Sequence, residues 1–208
     1  MLSFNEYLGQ VNDAVAAIEY PLQPAGLYEP IEYTMSLGGK RVRPSLVLMA
    51  CDAFGGNVAD SVAPAIGLEL FHNFTLLHDD VMDKADIRRG KPTVHVKWNE
   101  NTAILSGDAM LTMSAQYIAK APAAVMPAAM NLYNATAMEI YEGQQYDMEF
   151  EERMDVKEEE YLNMIRLKTS VLLGCACKMG AIVAGAEESD AALIYRFGEL
   201  IGLAFQLQ

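Results

Sequence analysis

Apolar residues recur along this chain at three- and four-residue intervals, in runs broken by glycine, proline or clusters of charge. Ser3-Phe-Asn-Glu6 has the form of a capping box. Tyr7, Val11, Ala14, Val15 and Ile18 follow at helical spacing until Pro21 and Pro24 end the pattern. A second helix through Ile31 and Met35 is predicted to stop at Gly38-Gly39. Pro44 suits the first turn of a third, which reaches Phe54 before Gly55-Gly56. A long helix from about Asp60 to Asp83 comes next, and then a loop from Lys84 to Pro92, where charges mix with Gly90 and Pro92. Further helices are predicted over roughly 93 to 119, 122 to 150, 157 to 185 and 190 to 208. No Asn-Gly turn lies between alternating apolar and polar runs, so strands are nearly absent from the prediction. The pattern implies an all-α fold in a single domain, residues 1-208, built from Ala-, Leu- and Met-rich helices that pack closely.

Composition narrows this picture. With 208 residues, 52% of them hydrophobic, the chain is too apolar for disorder, and a chain of this size buries roughly 70% of its unfolded surface. No apolar run reaches the ~20 residues of a membrane span, because Lys168 and Lys178 interrupt the most apolar late segment. The start, MLSFNEYLGQ, carries Glu6 and no leading positive charge, unlike a secretory signal. A cytoplasmic protein is expected. Cys51, Cys175 and Cys177 read as small packing residues of a reducing compartment, and the 13 methionines as core filler.

The net charge of -13, from 15 basic and 28 acidic residues, argues against a nucleic-acid partner, which needs a basic face. The basic residues are nonetheless unevenly placed, since eight of the 15 lie between Lys40 and Lys97. An acidic chain with a local knot of cations points to a specific small anion.

Three clusters carry candidate chemistry. In Asp79-Asp80-Val-Met-Asp83, helical spacing puts Asp79 and Asp83 one turn apart with Asp80 alongside, so three carboxylates are expected to converge. A hard divalent cation would relieve their repulsion, and an all-oxygen set favours Mg²⁺ or Mn²⁺; the alternative is a solvated acidic helix end. Gly38-Gly39-Lys40-Arg41-Val42-Arg43-Pro44 precedes a helix, where glycines let backbone approach a ligand and free N-H groups join Lys40 and Arg43 in cradling an anion. Arg88-Arg89-Gly90-Lys91 follows the aspartates closely enough to fold back over metal and phosphate. Each basic cluster alone is compatible with solvated surface charge. No Ser-His-Asp or Cys-His arrangement suggests a protein nucleophile.

Taken in order, GGKRVRP (38 to 44), ELFHNFTLLHDDVMD (69 to 83), RRGKPTVH (88 to 95), SGDAML (106 to 111), EGQQYDM (142 to 148), RLKTSVLL (166 to 173) and GLAFQLQ (202 to 208) resemble the trans-isoprenyl diphosphate synthases, or polyprenyl synthetases. The resemblance implies a helical bundle around a central cavity and a prenyltransferase that condenses isopentenyl diphosphate with an allylic diphosphate. By resemblance, Lys40, Arg43, His72 and Arg89 bind isopentenyl diphosphate. Asp79, Asp80 and Asp83 hold Mg²⁺ against the allylic diphosphate, with Arg88, Lys168, Thr169 and Gln206 as its further partners. Gln144 and Asp147 share a helix face and join this set through water or lie on a polar surface. Phe74, helped by Thr75, floors the pocket for the hydrocarbon tail and implies a C15 to C20 product. A simple helical wheel places Thr75 rather than Phe74 beneath Asp79. A homodimer is also implied.

The family pattern continues after the Phe-Gln element with a second aspartate-rich motif and further helices, whereas this chain stops at Gln208 inside an apolar helix. A truncated form of a longer enzyme is therefore expected. The alternative is a noncatalytic partner subunit or remnant that binds a diphosphate without turnover. A terpene cyclase shares the first metal motif, but GGKRVRP argues against it.

Overall fold

The computed structural model describes residues 2–207, so Gln208, the last residue of the GLAFQLQ stretch and the expected end point, lies outside the described residues, as does Met1. Ten α-helices follow one another among the described residues. They are α1 (Phe4–Ala16), α2 (Ala25–Ser36), α3 (Val42–Ala53), α4 (Val58–Met82), α5 (Val94–Lys97), α6 (Glu100–Ile118), α7 (Met126–Glu151), α8 (Glu158–Ile165), α9 (Val171–Val183) and α10 (Glu188–Gln206). The all-α expectation holds. The capping box is present: the Ser3 hydroxyl accepts from the Glu6 amide at 3.4 Å, and the Ser3 amide donates to Glu6 Oε2 at 2.7 Å. No helix is long and apolar enough to cross a membrane.

Three local features depart from the sequence expectations. The helix expected over 93 to 119 is two, because Asn99 caps α6 with its side-chain oxygen accepting from the Thr102 amide at 2.8 Å, and Trp98 leaves helical geometry. The loop over 84 to 92 contains a small antiparallel ladder, β1 (Ile87–Arg88) with β2 (Lys91–Pro92). Its two turn residues, Arg89 and Gly90, both have positive φ, the geometry that matches hairpin twist, so Arg-Gly takes the place of the expected Asn-Gly signal. The helix expected over 157 to 185 is interrupted by a π-helical segment, Arg166–Ser170, after which the Val171 amide bonds to the Arg166 carbonyl five residues back.

Helix α4 runs through the middle of the molecule, packed on α6 and α3, while α9 lies on α3 and α10. Its 25 residues span about 37 Å at 1.5 Å per residue. Ile66, Leu68, Leu70, Phe71 and Leu77 are all buried, which accounts for an apolar pattern wider than one stripe. The helix also buries four polar residues, Ser61, Glu69, Asn73 and Asp80.

Glu69 is matched by Arg41, which lies in the turn between α2 and α3, and both side chains are 3% exposed. The Arg41 guanidinium donates to Glu69 Oε1 and to the Met35 carbonyl, the latter at 2.6 Å. Asn73 Nδ2 donates to the same carboxylate oxygen at 3.0 Å, and the Ser45 hydroxyl donates to the Arg41 carbonyl at 2.8 Å. Arg41 holds a left-handed backbone conformation, φ 46°, that costs a non-glycine residue about 1–2 kcal/mol unless its surroundings fix it. The buried pair supplies that fixation. Arg41→Ala leaves an unpaired buried carboxylate and should lower stability by roughly 3–5 kcal/mol, measured by urea unfolding. A change below about 1 kcal/mol would show that Glu69 finds another partner.

Candidate active site

The turn from α2 to α3 is shaped by Gly38 and Gly39, with φ of 76° and 140°, and by Arg41. These conformations turn the Lys40 and Arg43 side chains toward a cavity of about 590 Å³, which His72, Glu69 and Arg89 also line. The opposite wall comes from Thr169, Leu173, Ile201, Phe205 and Gln206. Three of the four residues expected to bind one diphosphate therefore meet the fourth across a single cavity. Lys40 Nζ stands 5.5 Å from the centroid of the Phe205 ring.

Arg43 and His72 sit together inside this cavity, with Arg43 Nη1 3.2 Å from His72 Nε2. A guanidinium only donates, so His72 Nε2 accepts and the imidazole is neutral with its proton on Nδ1. Burial, followed by the positive charges of Arg43, Arg89, Arg88 and Arg41, holds its pKa well below the ordinary value. Burial also pulls Arg43 down, and its Nε has no hydrogen-bond partner among the described residues. An unpartnered buried donor beside a neutral histidine is a site short of an acceptor. Arg89 reaches in from the hairpin turn, where its guanidinium donates to the Gly38 carbonyl. It packs so closely on Gly39 that a Cβ there would lie 3.0 Å from Nη2.

A second cavity, about 350 Å³, shares Arg43, His72, Thr169 and Gln206 with the first. Asp79 and Lys168 are among its polar lining residues, and Phe74, Thr75, Ile140, Tyr141 and Leu172 also line it. Phe74 is 5% exposed. Its ring meets His78 edge-on at 4.7 Å and lies 5.6 Å from Phe71, so it is held from two sides. Thr75 lines the same cavity, in keeping with its place on the helical wheel, but its hydroxyl is turned to the His72 carbonyl at 2.8 Å.

The expected convergence of three carboxylates is not seen. Among the described residues no group of three or more His, Cys, Asp or Glu side chains is arranged to hold a metal ion. Asp80 is drawn into an ion pair with Arg88, whose Nη2 and Nε lie 2.6 and 2.7 Å from Oδ1. That bond raises the Arg88 pKa. Asp83 is the exposed cap residue just beyond α4, its amide bonded to the Asp79 carbonyl at 2.8 Å. Asp79 alone faces the cavity, without a side-chain hydrogen bond among the described residues. Burial pushes its pKa up to about 6, against the pull of Lys168.

The π-helical segment delivers Thr169 to the junction of the two cavities and Lys168 to the second of them. Lys168 Nζ bonds to Asp147 Oδ2 at 2.5 Å, so Asp147 acts on the site through this lysine, whereas Gln144 lines the second cavity directly. Gly143 makes the approach possible, because a Cβ there would lie 2.4 Å from the Lys168 amide nitrogen. Sequence reasoning did not assign Arg41, Glu69 or Gly143 to the site. Glu69 had a detectable signal as an acid inside an otherwise apolar helix, and Gly143 as the glycine of EGQQ.

The chain matches the Polyprenyl synthetase family model over residues 24–208. It is 44% identical over 188 residues to a geranylgeranyl diphosphate synthase from Methanosarcina mazei, covering 89% of this chain and 58% of that protein. A geranylgeranyl diphosphate synthase from Sulfolobus acidocaldarius is 40% identical over 208 residues, 98% of this chain and 63% of that one. A crystal structure of a geranylgeranyl pyrophosphate synthase matches with TM-score 0.93 and 49% identity, over 100% of this chain and 63% of that chain. The chain thus spans about three-fifths of the length of the curated relatives it matches. With its helical fold and the two joined cavities, it belongs to the polyprenyl synthetase family.

Proposed function

We propose that the protein is a prenyltransferase that joins isopentenyl diphosphate to an allylic diphosphate and releases pyrophosphate. The observation that carries this reading is the pair of cavities meeting at Arg43, His72, Thr169 and Gln206, one basic and one leading from Asp79 to an apolar end. The relatives are named as synthases, which favours catalysis over a noncatalytic partner subunit.

In this reading Lys40, Arg43, His72 and Arg89 hold the diphosphate of isopentenyl diphosphate. The neutral imidazole accepts from Arg43 and so orients the guanidinium without competing for the anion. Asp79, which has no side-chain hydrogen bond among the described residues, would hold Mg²⁺ with its hard carboxylate oxygens, and Asp80 and Asp83 would complete the set only by turning toward it, Asp80 by giving up Arg88. Bound there, Mg²⁺ would supply positive charge against the departing diphosphate. Arg88 and Lys168 add fixed positive charge on the same side. The allylic C-O bond breaks, the isopentenyl double bond attacks the resulting cation, and a proton passes to the released pyrophosphate. Thr169 and Gln206, at the junction, contribute dipoles rather than a nucleophile.

Phe74 closes the apolar end, which suits a C15 to C20 product. A homodimer is the inferred assembly, and exposed Ile104, Leu105 and Met138 on α6 and α7 are apolar surface available for it.

Incubation with isopentenyl and allylic diphosphates in Mg²⁺ should yield mainly C15 to C20 diphosphates by chromatography, and a dominant C30 or longer product would remove Phe74 from its assigned role. Phe74→Ala should lengthen the product by at least one C5 unit. Asp79→Asn should lower turnover by roughly 10²–10³ or more, as when a transition-state electrostatic contact is lost. Turnover within a factor of about three of the parent would reject Asp79 as a metal ligand.

A further inference from the structure

Ion pairing leaves one basic region of this acidic protein without counter-charge. Arg41, Arg88, Arg153, Arg166, Lys168, Lys178 and Arg196 each meet a carboxylate. Among the described residues no ion pair reaches Lys40, Arg43, Lys84, Arg89, Lys91, Lys97, Lys120 or Lys157, and five of these eight, Lys40, Arg43, Arg89, Lys91 and Lys97, line two cavities that share Arg89. Lys40 and Arg43 belong to the inner cavity. Arg89, Lys91 and Lys97 line a separate cleft of about 500 Å³ between the end of α2 and the β1–β2 hairpin, together with Tyr33, Ser36 and Leu37. No carboxylate lines this cleft, in a chain whose net charge is -13.

The cleft is held in shape. Lys97 Nζ lies 3.8 Å from the centroid of the Tyr33 ring and 4.6 Å from that of Trp98, and the two rings meet edge-on at 5.4 Å. An ammonium held between two aromatic rings keeps its position. The Tyr33 hydroxyl donates to the Pro92 carbonyl at 2.8 Å, tying α2 to the hairpin. Arg89 joins the cleft to the inner cavity, since it lines both. Burial lowers its pKa, and the nearby cation of Arg41 adds to that shift.

We propose that this cleft is a second, outer diphosphate-binding site, in which Lys91 and Lys97 hold the anion and Arg89 is shared with the inner site. Three cations, Arg89 and Lys97 held in place and Lys91 exposed on the hairpin, match the charge of a diphosphate, and the volume lies within the range of small-molecule sites. The assignment of the inner site rests on the proposed prenyl transfer, whereas the outer site rests on the cleft itself. Two sources carry the same group: an isoprenyl diphosphate on its way in, or pyrophosphate on its way out.

Titration calorimetry of the protein with inorganic pyrophosphate, at low ionic strength and without divalent cation, tests the site. The parent should bind two equivalents and the Lys91→Gln/Lys97→Gln variant one, while Arg43→Gln loses the other. Lys91→Gln alone, which leaves the Lys97 stacking intact, should weaken the outer equivalent at least tenfold with thermal unfolding unchanged. Two undiminished equivalents in the double variant overturn the proposal, as does a parent that binds only one equivalent, lost in Arg43→Gln. Absence of prenyl transfer would leave this titration unaltered, so the two readings fail separately. Repeating it with isopentenyl diphosphate identifies the source: tighter outer binding than pyrophosphate marks an entry route, and weaker binding an exit route.

Discussion

Burying the Arg41 guanidinium and the Glu69 carboxylate removes both from water, and neither can leave without stranding the other. Their contact joins a turn near the start of the chain to the middle of the central helix. Arg41 reaches Glu69 from a left-handed backbone conformation, which fixes the course of the residues on either side of it as well. Lys40 and Arg43 flank it and face the cavity, while His72 stands three residues beyond Glu69 on α4. One desolvated pair thereby sets the register between the α2–α3 turn and α4, which together carry the basic side of the cavity. It contributes specificity of arrangement more than net stability, since exchanging both partners for apolar residues is often close to neutral.

Much of the fold was legible because helices announce themselves locally. Ser3 and Glu6, the glycines at 38, 39, 55 and 56, and the apolar spacing along α4 act within a few residues of where their effect appears. The basic and acidic clusters of the site were legible for a related reason: charges of one kind close together in an acidic or apolar setting are costly to keep. What sequence spacing could not convey was pairing at long range. Helical geometry placed Asp80 beside Asp79 and Asp83, but the competing attraction of Arg88, eight residues on, turned it away. The burial of Arg41 depended on a partner 28 residues distant, which no local pattern encodes.

The two cavities also show how a helical bundle divides labour without a large polar core. The basic cavity draws its charges from a turn, a hairpin and one helix, all on the same side. The apolar cavity lies between α4 and α7, where Phe74 is braced by neighbouring rings. Their junction is formed by Arg43 and His72 of the regular helices α3 and α4 on one side and by Thr169 of the π-helical segment and Gln206 at the end of α10 on the other.

A π-turn holds one residue more than the α-turn it replaces. Between α8 and α9 the chain thus carries a surplus residue, and the side chains before it are rotated by about 100° relative to an unbroken helix. Removing a single residue from 166–170 would let the helix close into regular geometry without loss of backbone hydrogen bonding. Lys168 and Thr169 would then leave the second cavity together, and Asp147 would lose the ammonium it holds. A change in the length of this segment therefore acts at a distance as well, because it alters the face that α8 presents to the rest of the bundle.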